Sequence, residues 1–158
     1  MSLRASRLVA DIAERMGFLL PVGELPDDIS CTGWLRVVVP WSGPDGSAGS
    51  VEVCAEAQLA QTLACNILAR EAGEVSAEDA ETALGELANV IAGNLLPQLY
   101  GNDHEFHLAT PSSQAGCCQG RREAAVEFME GRLVVSVAAT VHNTRLLRRG
   151  AQKDDGGR

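Results

Sequence analysis

SAEDAETALGELANVIAGNLLPQL, residues 76–99, is the longest helical pattern in the chain and the stretch the remainder is read against. At about 100° per residue, Ala80, Leu84, Leu87, Ala88, Ile91 and Leu95 fall on one side and form a core-facing stripe. Thr82, Glu86, Asn89 and Gly93 follow the i, i+4, i+7, i+11 rhythm of a single face on nearly the opposite side. Glu86 and Asn89 therefore sit one above the other, turned toward solvent or a partner. Ser76, with Asp79 three residues on, has the form of an N-cap with a short variant of the capping box. Pro97 weakens the last turn, and Gly101 with Asn102 ends it.

Outward from this helix the pattern alternates between helix and strand. Toward the N-terminus, residues 56–70 carry the stripe Leu59, Ala60, Leu63, Ala64, Ile67 and Leu68, rich enough in alanine for close packing against another helix. Residues 29–41 and 50–55 read as strands, with Pro40 closing the first and the turn-rich 42–49 making them a hairpin. Residues 18–22 include Pro21 and suit only an edge strand. Residues 3–17 form a first helix, with Leu8, Val9, Ile12 and Met16 as its stripe and Gly17 as its stop. On the C-terminal side, residues 103–110 read as a strand and 111–120 as a loop. Residues 123–130 and 133–141 form a second hairpin. Strands joined by hairpins pair antiparallel. The expected fold is α+β, one antiparallel β-sheet with long α-helices packed on one face.

Composition bounds the rest. The 158 residues suit one domain, expected over residues 1–144, with a basic, disordered tail over 145–158. The core must be aliphatic, because the chain is 46% hydrophobic but only 4% aromatic. The net charge is −8, yet the tail has five basic residues against two acidic, a net of +3, which leaves about −11 elsewhere. An acidic body argues against nucleic acid as a partner. No apolar run is long enough to span a membrane, and residues 1–18 lack the uninterrupted apolar core of a signal peptide. A cytoplasmic location is expected, with no membrane partner. The five cysteines are odd in number and form no CxxC, which disfavours a disulfide framework or a zinc site and favours buried free thiols. Adjacent Cys117 and Cys118 fall in the loop, where only Arg121 and Arg122 lie near in sequence to activate a thiol, so a reactive pair is disfavoured. His104 and His107 are three apart, which on a strand puts them on opposite faces and disfavours a shared metal, whereas on a helix the two could share one.

There is no GxSxG, Walker loop, HExxH or GxGxxG opening a helix. What remains is the exposed Glu86 and Asn89. A carboxamide donates to and accepts from one water and so holds it in line for attack. A carboxylate anchors a cation on a partner. Neither activates a phosphate alone, so the other molecule must bring the electrophile and any metal. Gly93 allows a close approach, and Thr82 extends the face by a turn. The plainer reading, a solvated face that merely needs polar residues, stands beside this one.

Residues 82–94, TALGELANVIAGN, resemble the signature helix of the CheC/CheX/FliY chemotaxis phosphatases, most closely the single-motif CheX type. In that pattern an Asp or Ser is followed by Glu, then Asn, and later by Pro. Glu86 and Asn89 match in type and spacing. Thr82 stands where Asp or Ser is usual, and Pro111 follows Asn89 after 21 residues, one short of the family's gap. No second ExxN, as CheC-type members carry, is present. The resemblance implies a phosphatase acting on the aspartyl-phosphate of a response-regulator receiver domain such as CheY. It implies that Asn89 positions the attacking water and Glu86 pairs with the receiver's lysine. The receiver supplies the phosphoaspartate and the Mg²⁺, so no cofactor of the chain's own is expected. Thr82 and Pro111 carry over as motif positions only. CheX-type members are homodimers, which makes a homodimer the expectation. Two alternatives remain: a non-catalytic module binding a receiver or signalling partner through the same face, and a stand-alone metal hydrolase using His104 or His107.

Overall fold

The structure is a computed structural model and describes residues 3–140. The expected basic tail over 145–158, and the domain limit at residue 144, lie outside the described residues. In chain order the elements are α1 (Leu3–Gly17), β1 (Pro21–Glu24), β2 (Leu35–Ser42), β3 (Ala48–Ala55), α2 (Ala57–Leu68), α3 (Ala77–Tyr100), β4 (His107–Leu108), β5 (Ser112–Gln114), β6 (Arg121–Phe128) and β7 (Gly131–Thr140). The strands make one antiparallel sheet in the order β1-β6-β7-β3-β2-β4, with β5 also paired to β2. The α+β class holds, and so does the placement of the helices on one face.

Period-2 alternation divides the sheet into two faces. Val37, Val39, Val51, Val53 and Val135 point to the helix side, where they meet Val9 and Ala13 of α1, Leu59 and Leu63 of α2, and Leu84, Leu87, Ile91 and Leu95 of α3. All six stripe residues read from the α3 sequence are buried. Burying a leucine or isoleucine side chain contributes about 1.5–3 kcal/mol, so this stripe alone fixes the rotation of α3 about its axis. The capping box is formed: Asp79 N–H donates to Ser76 Oγ, and Ser76 N–H to Asp79 Oδ2, both at 3.0 Å. At the other end Gly101, with φ of 106°, donates its N–H to the Pro97 carbonyl at 2.8 Å.

Four strand and loop expectations need correction. The strand expected over 29–41 begins only at Leu35. Pro40 does not close β2, which runs on to Ser42. The Pro40 carbonyl accepts from Ala109 N–H, so its missing N–H falls on the edge between β4 and β5, where no ladder bond is lost. The strand expected over 103–110 shrinks to His107–Leu108, because 101–106 turn around Phe106, which packs on Trp41 and Tyr100. The loop expected over 111–120 contains β5, paired with Arg36, Val37 and Val38 of β2.

The face away from the helices is covered by chain instead. A small cluster of Leu25, Cys31, Cys54, Ala125 and Val134 lies there under Ile29 and Trp34, with Cys118 against it. Residues 115–120 run across this face to carry the chain from β5 at one edge to β6 near the other. Cys54 on β3 and Cys118 on this crossing are joined by a disulfide, while Cys31, Cys65 and Cys117 are free. The expectation of unpaired thiols throughout is thereby corrected. The two cysteines are 64 positions apart, and only the crossing brings them together.

Candidate functional site

The packing that buries Leu84, Leu87, Ala88 and Ile91 leaves Thr82, Glu86 and Asn89 exposed on the opposite side of α3. Among the described residues, the side chains of Glu86 and Asn89 have no hydrogen-bond or ion-pair partner. Asn94, one turn further on, differs: its Nδ2 donates to the Val90 carbonyl at 2.8 Å and is spent on the helix itself. Glu86 and Asn89 are thus free polar groups on a rigid backbone, with no local bond to break before meeting another molecule.

They face a groove of about 480 Å³ between α3 and the segment around β5. One wall is helical, from Glu78 through Thr82 and Glu86 to Asn89. The other is made by Thr110, Pro111, Ser112 and Ser113, with Val37 of β2 at the floor. Pro111 lies against position 85 of α3: a Cβ built there would stand 3.4 Å from the Cβ of Pro111, at ordinary contact distance. Among the described residues the lining holds three carboxylates, Glu78, Glu81 and Glu86, and no basic side chain. A groove of this kind suits a partner that brings positive charge to it.

Of the five residues singled out from sequence, Thr82, Glu86, Asn89 and Pro111 line this one groove. Gly93 does not. It is exposed one turn beyond, where a Cβ would meet Leu108 of β4 at 3.9 Å. His107 pairs with Ser42 in the short β4–β2 ladder, and His104 stacks edge-on against Phe106. Neither histidine lines the groove. Sequence reading missed Glu78, Gly85 and the hydroxyl wall. Glu78 and Gly85 share the i, i+4, i+7, i+11 spacing of Thr82 and Asn89, so that signal was present. Ser112 and Ser113 had none, since PSSQ lacks any apolar alternation.

The architecture is shared with solved structures. The chemotaxis protein CheX from Vibrio vulnificus superposes with a TM-score of 0.62 at 17% identity, over 85% of this chain and 93% of that one. A chain of the CheX–CheY–BeF3–Mg complex from Borrelia burgdorferi gives 0.62 at 18%, over 85% and 94%. A CheX from Desulfovibrio desulfuricans gives 0.61 at 18%, over 87% and 99%. At such identities these likenesses concern the fold alone. No curated protein sequence matches the chain. The family model for the chemotaxis phosphatase CheX matches residues 38–118, a span that holds Glu86, Asn89 and Pro111. With more than half of its length matched in this way, the chain belongs to the CheX chemotaxis phosphatase family.

Proposed function

We propose that the protein removes the phosphoryl group from the aspartyl-phosphate of a CheY-like receiver domain, with Asn89 holding the attacking water and Glu86 pairing with the receiver's lysine. The observation that carries this reading is the pair itself: an unpartnered carboxamide and an unpartnered carboxylate, one turn apart on a buried-stripe helix, in a groove that also holds Pro111. Membership of the family supports the reaction class. The existence of a CheX–CheY–BeF3–Mg complex in a relative of the same fold supports the partner class.

The chemistry divides between the two molecules. The receiver brings the phosphoaspartate, the electrophile and the Mg²⁺. This chain brings position. Asn89 Oδ1 accepts from the water and Nδ2 donates to it, which fixes the water in both orientation and distance. Holding a reactant in near-attack geometry removes much of the entropic barrier to a bimolecular step. Glu86 draws the receiver's lysine ammonium and sets the docking register. Thr82 and Pro111 shape the groove without a role in the reaction. The protein acts in the cytoplasm, as a homodimer, beside the receiver it serves.

The test uses a receiver domain from the same genome, phosphorylated by acetyl phosphate in the presence of Mg²⁺. Loss of phosphate is followed with and without this protein. Acceleration that falls on the order of 10²-fold in Asn89→Ala is the expected result. Acceleration untouched by Asn89→Ala overturns the mechanism. Binding to the phosphorylated receiver with no acceleration means that the face serves as a non-catalytic docking module.

A further inference from the structure

Residues 115–120, the crossing beneath the sheet, begin immediately after the groove wall and are held at three points. Arg36 Nη1 donates to the Ala115 carbonyl at 3.1 Å. Gln119 N–H donates to Glu52 Oε2 at 3.1 Å. Cys118 is bonded to Cys54. The three anchors are neighbours on the sheet, because Arg36 is the cross-strand partner of Cys54 and Glu52 follows two residues earlier on β3. Gly120 then passes so close to β7 that a Cβ would stand 2.6 Å from the backbone of Val137. Upstream, β5 has only three residues to pair with β2, and Ser112 and Ser113 are exposed. The position of the Pro111–Ser112–Ser113 wall therefore depends on the anchoring of the crossing that follows it.

One of those anchors is chemically reversible. The Cys54 sulfur is shielded, with the residue 1% exposed, whereas Cys118 is only half-buried. Exchange consequently proceeds at Cys118. We propose that the Cys54–Cys118 bridge is a thiol–disulfide exchange site for a small dithiol, and that its redox state sets how firmly the β5 wall of the groove is held against α3. One thiolate of the dithiol attacks Cys118 Sγ, forming a mixed disulfide and expelling the Cys54 thiolate, which takes up a proton. The second thiolate then attacks the sulfur of the first, giving the cyclic disulfide of the reagent and returning Cys118, which is protonated in turn. The protein gains two electrons and two protons, and the dithiol loses them. With the bridge open, two hydrogen bonds remain to hold residues 115–120. The short β5 ladder loosens, and Pro111 is no longer fixed opposite Glu86 and Asn89. A bridge that opens and closes in this way behaves as a redox-sensing disulfide and not as a permanent staple.

The activity consequence rests on the phosphatase reading, whereas the structural consequence does not. Three measurements on the full chain separate them. Thiols counted in the denatured, air-oxidised protein number three, for Cys31, Cys65 and Cys117, and five after dithiothreitol. Hydrogen exchange of residues 112–120 quickens about tenfold on reduction while α3 is unchanged. Acceleration of receiver dephosphorylation falls about fivefold or more on reduction. Cys118→Ser holds the low rate under both conditions. Cys117→Ser, which alters only the exposed neighbour, responds like the parent. Five thiols in the oxidised protein, or exchange in 112–120 that ignores reduction, overturns the proposal. So does a dephosphorylation rate that is equal in both states while Asn89→Ala abolishes it. Absence of acceleration in every form refutes the phosphatase reading and leaves the bridge to be judged on the exchange data.

Discussion

Gly85 on α3 and Pro111 ahead of β5 face each other across the groove, with the Pro111 Cβ 3.4 Å and its Cγ 3.9 Å from where a Cβ on residue 85 would stand. The gap accepts a methyl group and nothing larger. Gly85→Ala therefore keeps the wall in place and removes a helix-interior glycine, which stabilises the helix by about 1 kcal/mol. Gly85→Leu must push Pro111 outward. The expected pattern is a raised melting temperature with near-normal receiver dephosphorylation for the alanine variant, and loss of acceleration for the leucine variant. Equal activity in the two variants would show that the distance between Pro111 and α3 does not matter to the site.

Glu86 and Asn89 separate in kinetics if their roles differ as proposed. Glu86 works through charge on an open face, so Glu86→Gln raises the receiver concentration needed for half-maximal rate and leaves the rate at saturation nearly unchanged. Added salt reproduces part of that loss in the parent protein and little in the variant, since screening acts on the same attraction. Asn89→Ala does the opposite, lowering the saturated rate. A Glu86→Gln variant with an unchanged half-saturation point and a depressed saturated rate would place Glu86 in the chemical step instead.

Much of the site was legible because one helix carries most of it. The stripe from Ala80 to Leu95 fixes rotation, and rotation fixes that Thr82, Glu86 and Asn89 share a face. The resemblance added Pro111 as a motif position, and the structure brings it against Gly85. The second wall was illegible for a physical reason. β5 is held by backbone pairing to β2, and its side chains are exposed, so no burial pattern is imprinted on residues 112–114. Cys54 and Cys118 failed for a related reason: their meeting is a product of topology, with the crossing under the sheet bringing together residues that no local spacing relates. Gly93 is exposed on α3, but the groove ends before it, at the point where Leu108 comes alongside.

The start of α3 gives a prediction in pH. The Ser76 backbone N–H, and then its side chain, hold the Asp79 carboxyl below the usual carboxylate range. The stabilisation that Asp79 contributes is thus fully present above the ordinary aspartate pKa and is lost as pH falls through the lowered folded value. Asp79→Asn should differ from the parent near neutrality and converge on it in acid. Ser76→Ala removes the reciprocal acceptor and costs about 1 kcal/mol at neutral pH. Thermal melts across the acid range check both, and a difference between Asp79→Asn and parent that grows on acidification would refute the capping account.

Beneath the sheet, Arg36 and Glu52 form a buried ion pair, with Arg36 Nε donating to Glu52 Oε2 at 2.8 Å and side chains only 8% and 2% exposed. Such a pair is costly to break and cheap to replace whole, because the main penalty arises when one charge is left in the interior without its partner. Arg36→Met strands the Glu52 carboxylate with the Gln119 N–H as its remaining donor and also removes the bond to the Ala115 carbonyl. A loss of about 3–5 kcal/mol in urea unfolding is expected. Adding Glu52→Leu should recover most of that stability. The double variant nevertheless lacks two of the three ties on residues 115–120, keeping the Cys54–Cys118 bridge alone. Restored stability with a weakened site, read as slower receiver dephosphorylation, would show that the pair is retained for positioning the groove wall. Full recovery of both would reduce it to a charge pair that leucine and methionine replace.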